Sequence, residues 1–483
     1  MQVEPVGRVR RHLVLVAAVG LCIGLTVMAA APALAAPVSI ETHRISEASP
    51  FSPTSACAQA NPGFSQGFAQ ETSVAVNPRD PRHILVSWIQ DGRATDTVMA
   101  SRDGGRTFAR ILVPGISACT GGDFQVSSDP GVEFSADGRM AYFSSIAVNN
   151  PATEEEAETG MLVNRSFDDG FSWTTPSTIQ PPTGQFWDLP RLTPDPHHPK
   201  RAYYVYDLRK PPGFYSGYSL ISTTTNRGRT WSQPRVLYDP QTSNSWPGIT
   251  KILVNDDGSL LAVFALVATD PNNAAAGNAT KELAIRSVDG GRTWTKPIRI
   301  GTSSGVGVTD PVSGHFLNTF DTYPSQTVAP NGDVYVSWLE PGGTDAETKI
   351  AVARSTDAGR HWRVRRLAVK GQAAMPTVQV AGDGTVGVVH YVIAAKSSNG
   401  FWPARTAVAL SSDHGRHWSR HAIAGPFNLL TAGSNARPCC FLGDYEGVGR
   451  LPHGLVAALP MAKPIAKNNV DVYFSRITTS RPK

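Results

Sequence analysis

The sequence has little charge, few cysteines and no long apolar run beyond its first 35 residues. Charged residues make up 17% of the chain, and the formal net charge is only +5. Part of that charge lies within the first 35 residues, so the remainder is too weakly basic to indicate a nucleic acid or a membrane surface as partner. No Ser-His-Asp elbow, phosphate-binding loop or nucleotide motif is present. These absences exclude several common classes of enzyme and binding protein.

The one apolar run of spanning length lies at the amino terminus. It covers residues 13–31, follows a basic start and ends at a small-residue cleavage pattern at residues 33–35. The pattern predicts a signal peptide over residues 1–35, and therefore a secreted, extracellular protein without stable membrane insertion after cleavage. The adjacent Arg10 and Arg11 leave twin-arginine export open, and a retained anchor is the alternative.

Cysteine is scarce, at five residues. Removal of Cys22 with the signal peptide would leave four, an even number in an exported chain. Cys57 and Cys119 bracket the first of the repeats described below, and we predict a disulfide between them. Cys439 and Cys440 either form a vicinal disulfide or remain buried thiols, because adjacent pairing is geometrically awkward. No His or Cys lies at metal-ligand spacing, so we predict neither a metal site nor a cofactor.

Glycine, with 44 residues, and proline, with 37, are plentiful, as is typical of many short strands joined by tight turns. An eight-residue signature, Ser-x-Asp-x-Gly-x-x-aromatic, recurs six times at intervals of roughly sixty residues, which indicates a repeat architecture. The hydroxyl and the carboxylate accept bonds from turn amides, the glycine supplies a positive φ, and the aromatic ring packs into a neighbouring sheet. A strand pattern flanks each copy, so each signature is interpreted as a hairpin turn. The acidic or amide residues of the six copies are Asp103, Asp168, Asn226, Asp289, Asp357 and Asp413.

The signature resembles the Asp-box, or bacterial neuraminidase (BNR) repeat, of the sialidase superfamily. In that superfamily the Asp-boxes lie on outer hairpins of a β-propeller, away from the catalytic centre. The resemblance therefore implies the fold and gives the six boxes a structural role. Strand openings such as Glu71-Thr72-Ser73-Val74 and Gly443-Asp444-Tyr445 resemble those of secreted bacterial proteins of the exo-α-sialidase-like type. This likeness extends over nearly the whole mature chain.

A second motif, which opens a strand of alternating apolar residues, precedes every Asp-box and occurs a seventh time from Phe441. We therefore predict an all-β fold, a single β-propeller of four-stranded antiparallel blades, with seven blades favoured and six as the alternative. The seventh unit lacks an Asp-box and a fourth strand. We expect an N-terminal strand at about residues 38–46 to close the ring, because closure removes exposed sheet edges. The predicted domain covers residues 36–483, with blades at about 70–115, 128–180, 188–238, 246–301, 322–368, 374–424 and 440–477.

The innermost strand of each propeller blade lines the central channel, and its first residues face one mouth of that channel. Several carboxylates and aromatic rings occupy these positions. Such a combination suits a sugar, since rings stack on its faces and carboxylates act on its hydroxyl groups or its glycosidic bond. The candidate catalytic residues are Glu71, Asp129, Asp188, Asp444, Tyr445 and Glu446. The candidate substrate-binding residues are Trp187, Arg191, Arg209, Trp246, Tyr323 and Arg437.

The sialidase resemblance implies a Tyr nucleophile paired with a Glu, an Asp acid, and three arginines that grip a substrate carboxylate. Tyr323 and Tyr445 are the candidate nucleophiles, with Glu446 or Glu71 as the base. The superfamily's Arg-Ile-Pro signature is matched only at residues 44–46, where the proline is missing. The Asp-boxes of the superfamily are therefore present in this sequence, whereas its arginine triad cannot be assigned to particular residues here.

Three functions remain open from the sequence. The first is a sialidase-like glycoside hydrolase that acts on a glycan at the central mouth, and the second is a non-catalytic glycan- or cell-wall-binding propeller. The third is a protein-interaction scaffold, which would show a large apolar patch on one face. For the first two, the expected partner is a carbohydrate or glycoconjugate. We expect a monomer and no nucleic acid.

Overall fold

The computed structural model describes residues 37–149, 156–210, 215–249, 251–268, 279–304, 308–317, 323–341, 348–435, 439–463 and 470–479. The signal peptide expected over residues 1–35 and the candidate Arg437 lie outside these ranges. Among the described residues, the longest apolar helix falls short of what a membrane crossing requires. Helix is confined to α1 (Ala56–Gln59) and to short 3-10 turns at Ala118–Thr120 and Leu429–Thr431 within the part of the chain described.

The described residues form 29 strands in seven antiparallel sheets, and each sheet is one propeller blade. The strand before the ring and those of blades 1 to 3 are β1 (Val38–Arg44); β2 (Ala69–Val76), β3 (Ile84–Gln90), β4 (Thr95–Ser101) and β5 (Ala109–Leu112); β6 (Val126–Phe134), β7 (Ala141–Asn149), β8 (Glu158–Ser166) and β9 (Ser177–Gln180); β10 (Phe186–Pro194), β11 (Ala202–Lys210), β12 (Ser216–Thr224) and β13 (Arg235–Tyr238).

The remaining four blades follow in chain order. Their strands are β14 (Ser245–Gly248), β15 (Ile252–Val254), β16 (Leu260–Ala268), β17 (Ala279–Ser287) and β18 (Ile298–Ser304); β19 (Ser325–Val328), β20 (Val334–Pro341), β21 (Thr348–Ser355) and β22 (Arg363–Ala368); β23 (Gln372–Val380), β24 (Val386–Ile393), β25 (Pro403–Ser411) and β26 (Ser419–Asn428); β27 (Gly447–Leu451), β28 (Gly454–Ala462) and β29 (Val470–Thr479). In blade 4 both β14 and β15 pair with β16, so together they fill the innermost position. The fold is thus the seven-bladed propeller favoured by the sequence, and the six-bladed alternative is wrong.

The N-terminal strand closes the ring as expected. β1 pairs antiparallel with β29 in register from Val38 opposite Thr479 to Arg44 opposite Tyr473, and so becomes the outermost strand of blade 7. Beyond the strand, the Ser46 hydroxyl donates to the Asp471 carboxylate at 2.8 Å. The first and the last of the described strands therefore belong to one blade, which leaves no open junction in the ring.

Small hydroxyl residues on the inner strands join neighbouring blades. The Thr72 hydroxyl donates to the Ala458 carbonyl at 2.6 Å and accepts from the Gly447 amide at 2.9 Å, which links blades 1 and 7. The Ser325 hydroxyl accepts from the Val378 amide at 3.1 Å, which links blades 5 and 6. These bonds fix the inner strands relative to one another, and therefore fix the residues at the channel mouth.

The six Asp-boxes adopt one hydrogen-bonded turn. In the first, the Ser101 hydroxyl donates to Asp103 at 2.8 Å and accepts from the Gly105 amide at 2.9 Å, and the same two bonds recur in the other five. Although partial burial raises the pKa of Asp103, bonds from Thr107 and Ser101 lower it to about 2 overall. A Cβ on Gly105, which has φ +85°, would lie 2.3 Å from a ring atom of Phe474 in blade 7. Each part of the signature therefore serves the turn or its packing.

The structure contains the predicted disulfide between Cys57 and Cys119, whose Cα atoms are 5.1 Å apart. It ties the segment before blade 1 to the segment after it. Cys439 and Cys440 are also paired, which selects the vicinal disulfide over the alternative of two buried thiols.

One interior carboxyl group makes stability depend on pH. Glu282 on β17 is fully buried, and neither of its carboxyl oxygens has a hydrogen-bond partner among the described residues. Burial raises its pKa well above the ordinary value. The stability that this group contributes is present below its ordinary pKa and is lost as the pH rises through the raised pKa. We expect Glu282→Gln to stabilise the fold by about 1–3 kcal/mol at pH 8, where a buried carboxylate is costly, and to change it little at pH 4.

The measurement is the free energy of unfolding in urea at pH 4 and pH 8 for both proteins. Glu41→Gln removes a carboxylate from an exposed position on β1 and should leave stability unchanged at both pH values. An equal gain at the two pH values for Glu282→Gln would contradict the electrostatic explanation.

Candidate functional site

Four inner strands share a bulge at the same mouth of the channel. β2, β6, β10 and β23 each shift register near their first residues, where the chain enters the ring. The bulges hold Glu71, Asp129, Leu189 and Met375 at positive φ, between 48° and 56°. Such a backbone costs non-glycine residues about 1–3 kcal/mol and concentrates at functional sites. Two of the four residues are carboxylates that the sequence analysis singled out.

A first cluster at this mouth joins blades 1, 2, 3 and 7. The Arg191 guanidinium lies over the Tyr445 ring, 3.9 Å from its centroid. Burial lowers the pKa of Arg191, but Tyr445, Asp129 and Glu71 offset this and raise it overall, so the guanidinium stays charged. A Cβ on Gly443 would lie 2.8 Å from Cγ of Glu71, so the loop that carries Tyr445 is held against that bulge.

The hydroxyl of Tyr445 is buried among these charges. Burial raises its pKa well above the ordinary value, Arg191 lowers it, and Asp129 and Glu71 raise it further. The phenol is therefore protonated at rest, and it can act as a nucleophile only if a neighbouring base takes its proton. Glu71 and Asp129 are the carboxylates whose charges act on it.

A second cluster joins blades 3, 4, 5 and 7. Asp188 and Arg209 form an ion pair at 3.6 Å, and the Arg209 guanidinium lies 3.8 Å from the Trp246 ring centroid. The Trp246 and Tyr323 rings meet edge to face at 6.3 Å. Burial raises the pKa of Tyr323 well above its usual range, and the charges of Asp188 and Asp444 act on it in the same direction. Asp444 thus faces this cluster while the adjacent Tyr445 faces the first.

Both clusters border one cavity of about 170 Å³ at the centre of the ring. Its lining includes Arg191, Tyr323, Asp444 and Tyr445, and it receives residues from the inner segments of all seven blades. A carboxylate, a cation and two phenols can therefore reach a ligand bound there. Among the described residues, no group of three or more His, Cys, Asp and Glu is placed to hold a metal ion.

Four candidates are at most 5% exposed, namely Glu71, described above, and the three residues that follow. Trp187 is only 4% exposed and packs against Tyr206, with ring centroids 5.6 Å apart, in the core between blades 2 and 3. Trp246 is 2% exposed and one face of its ring is covered by Arg209. Glu446 borders the cavity but is buried, and burial raises its pKa well above the ordinary value. Trp187 therefore lies outside the site, and Trp246 supports Arg209 rather than offering an open platform.

Sequence reasoning missed three charged residues at the channel. Lys251 donates to Glu133 at 2.9 Å, so an ion pair joins blades 2 and 4 along the cavity wall. Asp207 is fully buried and accepts from the Ile249 amide at 3.0 Å and from the Ser219 hydroxyl, beneath Asp188 and Arg209. The available signal was a lone charge in its inner segment at Lys251, whereas Glu133 shares β6 with the candidate Asp129 and offered no separate signal.

The repeat resemblance can now be tested against known proteins. A family model described as a BNR repeat-like domain matches residues 219–435. The Asp-box resemblance is confirmed. No sequence match was found among curated proteins.

Solved structures with a similar fold include a Hadza microbial sialidase, which is 12% identical over 82% of this chain and 73% of that chain, with a TM-score of 0.47. A Penicillium chrysogenum α-L-arabinanase complexed with arabinobiose is 13% identical over 71% of this chain and 93% of that chain, with a TM-score of 0.46. A protein of unknown function from Dyadobacter fermentans is 14% identical over 87% and 96%, with a TM-score of 0.44. At these identities and TM-scores, the likeness says nothing about the chemistry of this chain.

Proposed function

We propose that the protein is a secreted glycoside hydrolase of the sialidase-like type, with its site at the central mouth of the propeller. The observation that carries this proposal is the meeting of Arg191, Tyr445, Asp129 and Glu71 at one end of the channel. The disulfide between Cys57 and Cys119 supports an oxidising, extracellular location.

In the proposed mechanism, Tyr445 is the nucleophile and Glu71 is its base. The phenol oxygen attacks the anomeric carbon as its proton passes to Glu71, and the bond to the leaving oxygen breaks. Asp444 donates a proton to that leaving oxygen. In the second step, water attacks the same carbon while its proton passes to Asp444, and the phenol oxygen leaves and takes its proton back from Glu71. Configuration is therefore retained and both carboxyl groups return to their starting state. Arg191 stabilises the developing negative charge on the phenol oxygen and presents N–H donors to an anionic substrate group.

The test is hydrolysis of a panel of chromogenic glycosides, including a sialoside and an arabinofuranoside, by the purified mature chain. Glu71→Gln and Asp444→Asn should each reduce turnover at least about a hundredfold, as expected for loss of the proposed base and of the proposed acid. Asp256→Asn is the matched control, because Asp256 is exposed in the turn between β15 and β16, at the end of the blade that carries the Asp-box. All three variants should keep the wild-type melting temperature to within a few degrees.

The two non-catalytic alternatives predict different results in this experiment. A glycan- or cell-wall-binding propeller would hydrolyse no member of the panel but would bind glycans on an array, and Asp444→Asn would weaken that binding. A protein-interaction scaffold would show neither turnover nor glycan binding. Either result overturns the proposed hydrolase.

A further inference from the structure

Outside the central cavity, the outer strands of blades 5 and 6 enclose a cleft with cations on both walls. A cavity of about 420 Å³ at one end of it is lined by Lys370, which follows blade 5, and by Arg405 and Arg420 of blade 6. All three side chains belong to exposed residues. The rest of its lining consists of Val369, Val392, His390, His421 and short alanine side chains.

The cleft continues along β22 towards the Asp-box of blade 6. Arg363 and Arg365 stand on the same face of β22 as Leu367, which packs into the core shared with blade 6. Together with Arg416 of the blade 6 Asp-box, they line a second, smaller cavity of about 30 Å³. β22 has six residues, so its edge extends over roughly 20 Å. The cations thus form a row rather than a single point.

Positive charge in this row is not balanced within the cleft. Among the described residues, neither cavity is lined by an Asp or a Glu. Nearby carboxylates engage other arginines, since Asp333 binds Arg354 at 2.6 Å and Glu340 binds Arg366 at 2.6 Å. Among the described residues, no ion pair involves Arg363, Arg365, Lys370, Arg405 or Arg420. A ligand with repeated negative charges would neutralise them.

The larger cavity also offers a neutral hydrogen-bond acceptor. His390 lines it, is 97% buried, and has its Nδ1 3.2 Å from the Val388 carbonyl. A carbonyl only accepts, so Nδ1 carries the proton and Nε2 is left as an acceptor. Burial lowers the pKa of His390 to about 4, which keeps the ring neutral near pH 7. A neutral acceptor between cations suits a ligand that has hydroxyl donors as well as anionic groups.

We propose that this cleft is a binding site for an anionic polysaccharide, separate from the central mouth and independent of any hydrolysis there. The arginine forks match carboxylate or sulfate groups along the chain, and the acceptor of His390 matches a sugar hydroxyl. A single-stranded nucleic acid fits less well, because the only aromatic ring other than histidine that lines these cavities, Tyr335, is buried rather than open for stacking. A DNA duplex needs a protruding element to enter its grooves, whereas this site is recessed.

The test measures binding of a fluorescent decamer of polygalacturonic acid to the whole chain in 50 mM salt. The cleft variant is Lys370→Gln, Arg405→Gln and Arg420→Gln combined. Its matched control is Arg106→Gln, Arg229→Gln and Arg292→Gln combined, which removes the same charge from exposed arginines at equivalent places in the Asp-boxes of blades 1, 3 and 4. We expect at least about a tenfold weaker Kd for the cleft variant, less than twofold for the control, and no binding of a neutral dextran fragment of equal length.

Three results would overturn the site. Equal losses of affinity in the two triple variants would mean that the decamer binds by diffuse electrostatic attraction and not in the cleft. No binding of the decamer by the wild type would mean that the cleft does not take this class of ligand. Tighter binding of a thymidine decamer, if it were lost in the cleft variant, would make the cleft a nucleic-acid site. A negative result for the polysaccharide site can be distinguished from a negative result for the proposed hydrolase. The cleft variant should hydrolyse a small glycoside as the wild type does, and Asp444→Asn should bind the polygalacturonate decamer with unchanged affinity.

Discussion

Replacing Tyr445 with phenylalanine should lower the kcat of the proposed hydrolysis by about 10²–10⁴-fold and leave KM nearly unchanged. The phenylalanine ring can still lie beneath the Arg191 guanidinium, so the 3.9 Å stacking and the shape of the mouth are retained. What disappears is the hydroxyl that attacks the anomeric carbon and the proton that Glu71 accepts. Steady-state kinetics on whichever chromogenic glycoside the wild type hydrolyses will measure the effect.

The matched control for this prediction is Tyr206→Phe. Tyr206 is also buried, and its hydroxyl donates to Gln180 at 3.3 Å in the core between blades 2 and 3. Removal of this hydroxyl should leave kcat within about twofold of wild type, because no reacting atom lies near it. If Tyr445→Phe kept more than half of the wild-type kcat while folded, Tyr445 would not be the nucleophile, and Tyr323 would become the candidate.

The architecture could be predicted because its signals are local and repeated. Each Asp-box fixes its own turn through bonds within eight residues, so the six copies mark six hairpins whatever the rest of the chain does. The seventh blade was predicted from a strand-opening motif at Phe441 that no Asp-box follows. Because this unit lacks a fourth strand, the N-terminal strand β1 was expected to supply it. The interruption between β14 and β15 has a weaker signal, since its only charged residue is Lys251, and a lone charge does not by itself mark a break in an inner strand.

Which candidate residues lie at the channel mouth could be predicted from the sequence, but which of them contact one another could not. Glu71, Asp129 and Tyr445 were found because they open inner strands, and that position decides which end of the channel they occupy. Which way each side chain points depends on the bulges, where an extra residue at positive φ breaks the alternation of strand faces. Among the described residues no bulge occurs at the start of β27, and there the adjacent Asp444 and Tyr445 reach different clusters. Trp187, one residue before a candidate acid, points into the core.

Removal of the disulfide between Cys57 and Cys119 should have the largest effect on stability. The bond closes a loop with a sequence separation of 62 residues, and the loss of that constraint on the unfolded chain corresponds to about 4 kcal/mol. We expect the double variant Cys57→Ala, Cys119→Ala to unfold at a correspondingly lower urea concentration, with an increased m-value, because its unfolded state is more extended. Equilibrium unfolding followed by tryptophan fluorescence will give both quantities.

A reducing agent supplies the control, because it also breaks a second disulfide, one that closes no loop. The bond between Cys439 and Cys440 joins adjacent residues, so it closes no loop and restricts the unfolded chain very little. Reductant should therefore destabilise the wild type by nearly as much as the double substitution does, yet leave the double variant almost unchanged. A further large loss in the reduced double variant would contradict this account, since it would place substantial stability in the vicinal pair beside the Tyr445 loop.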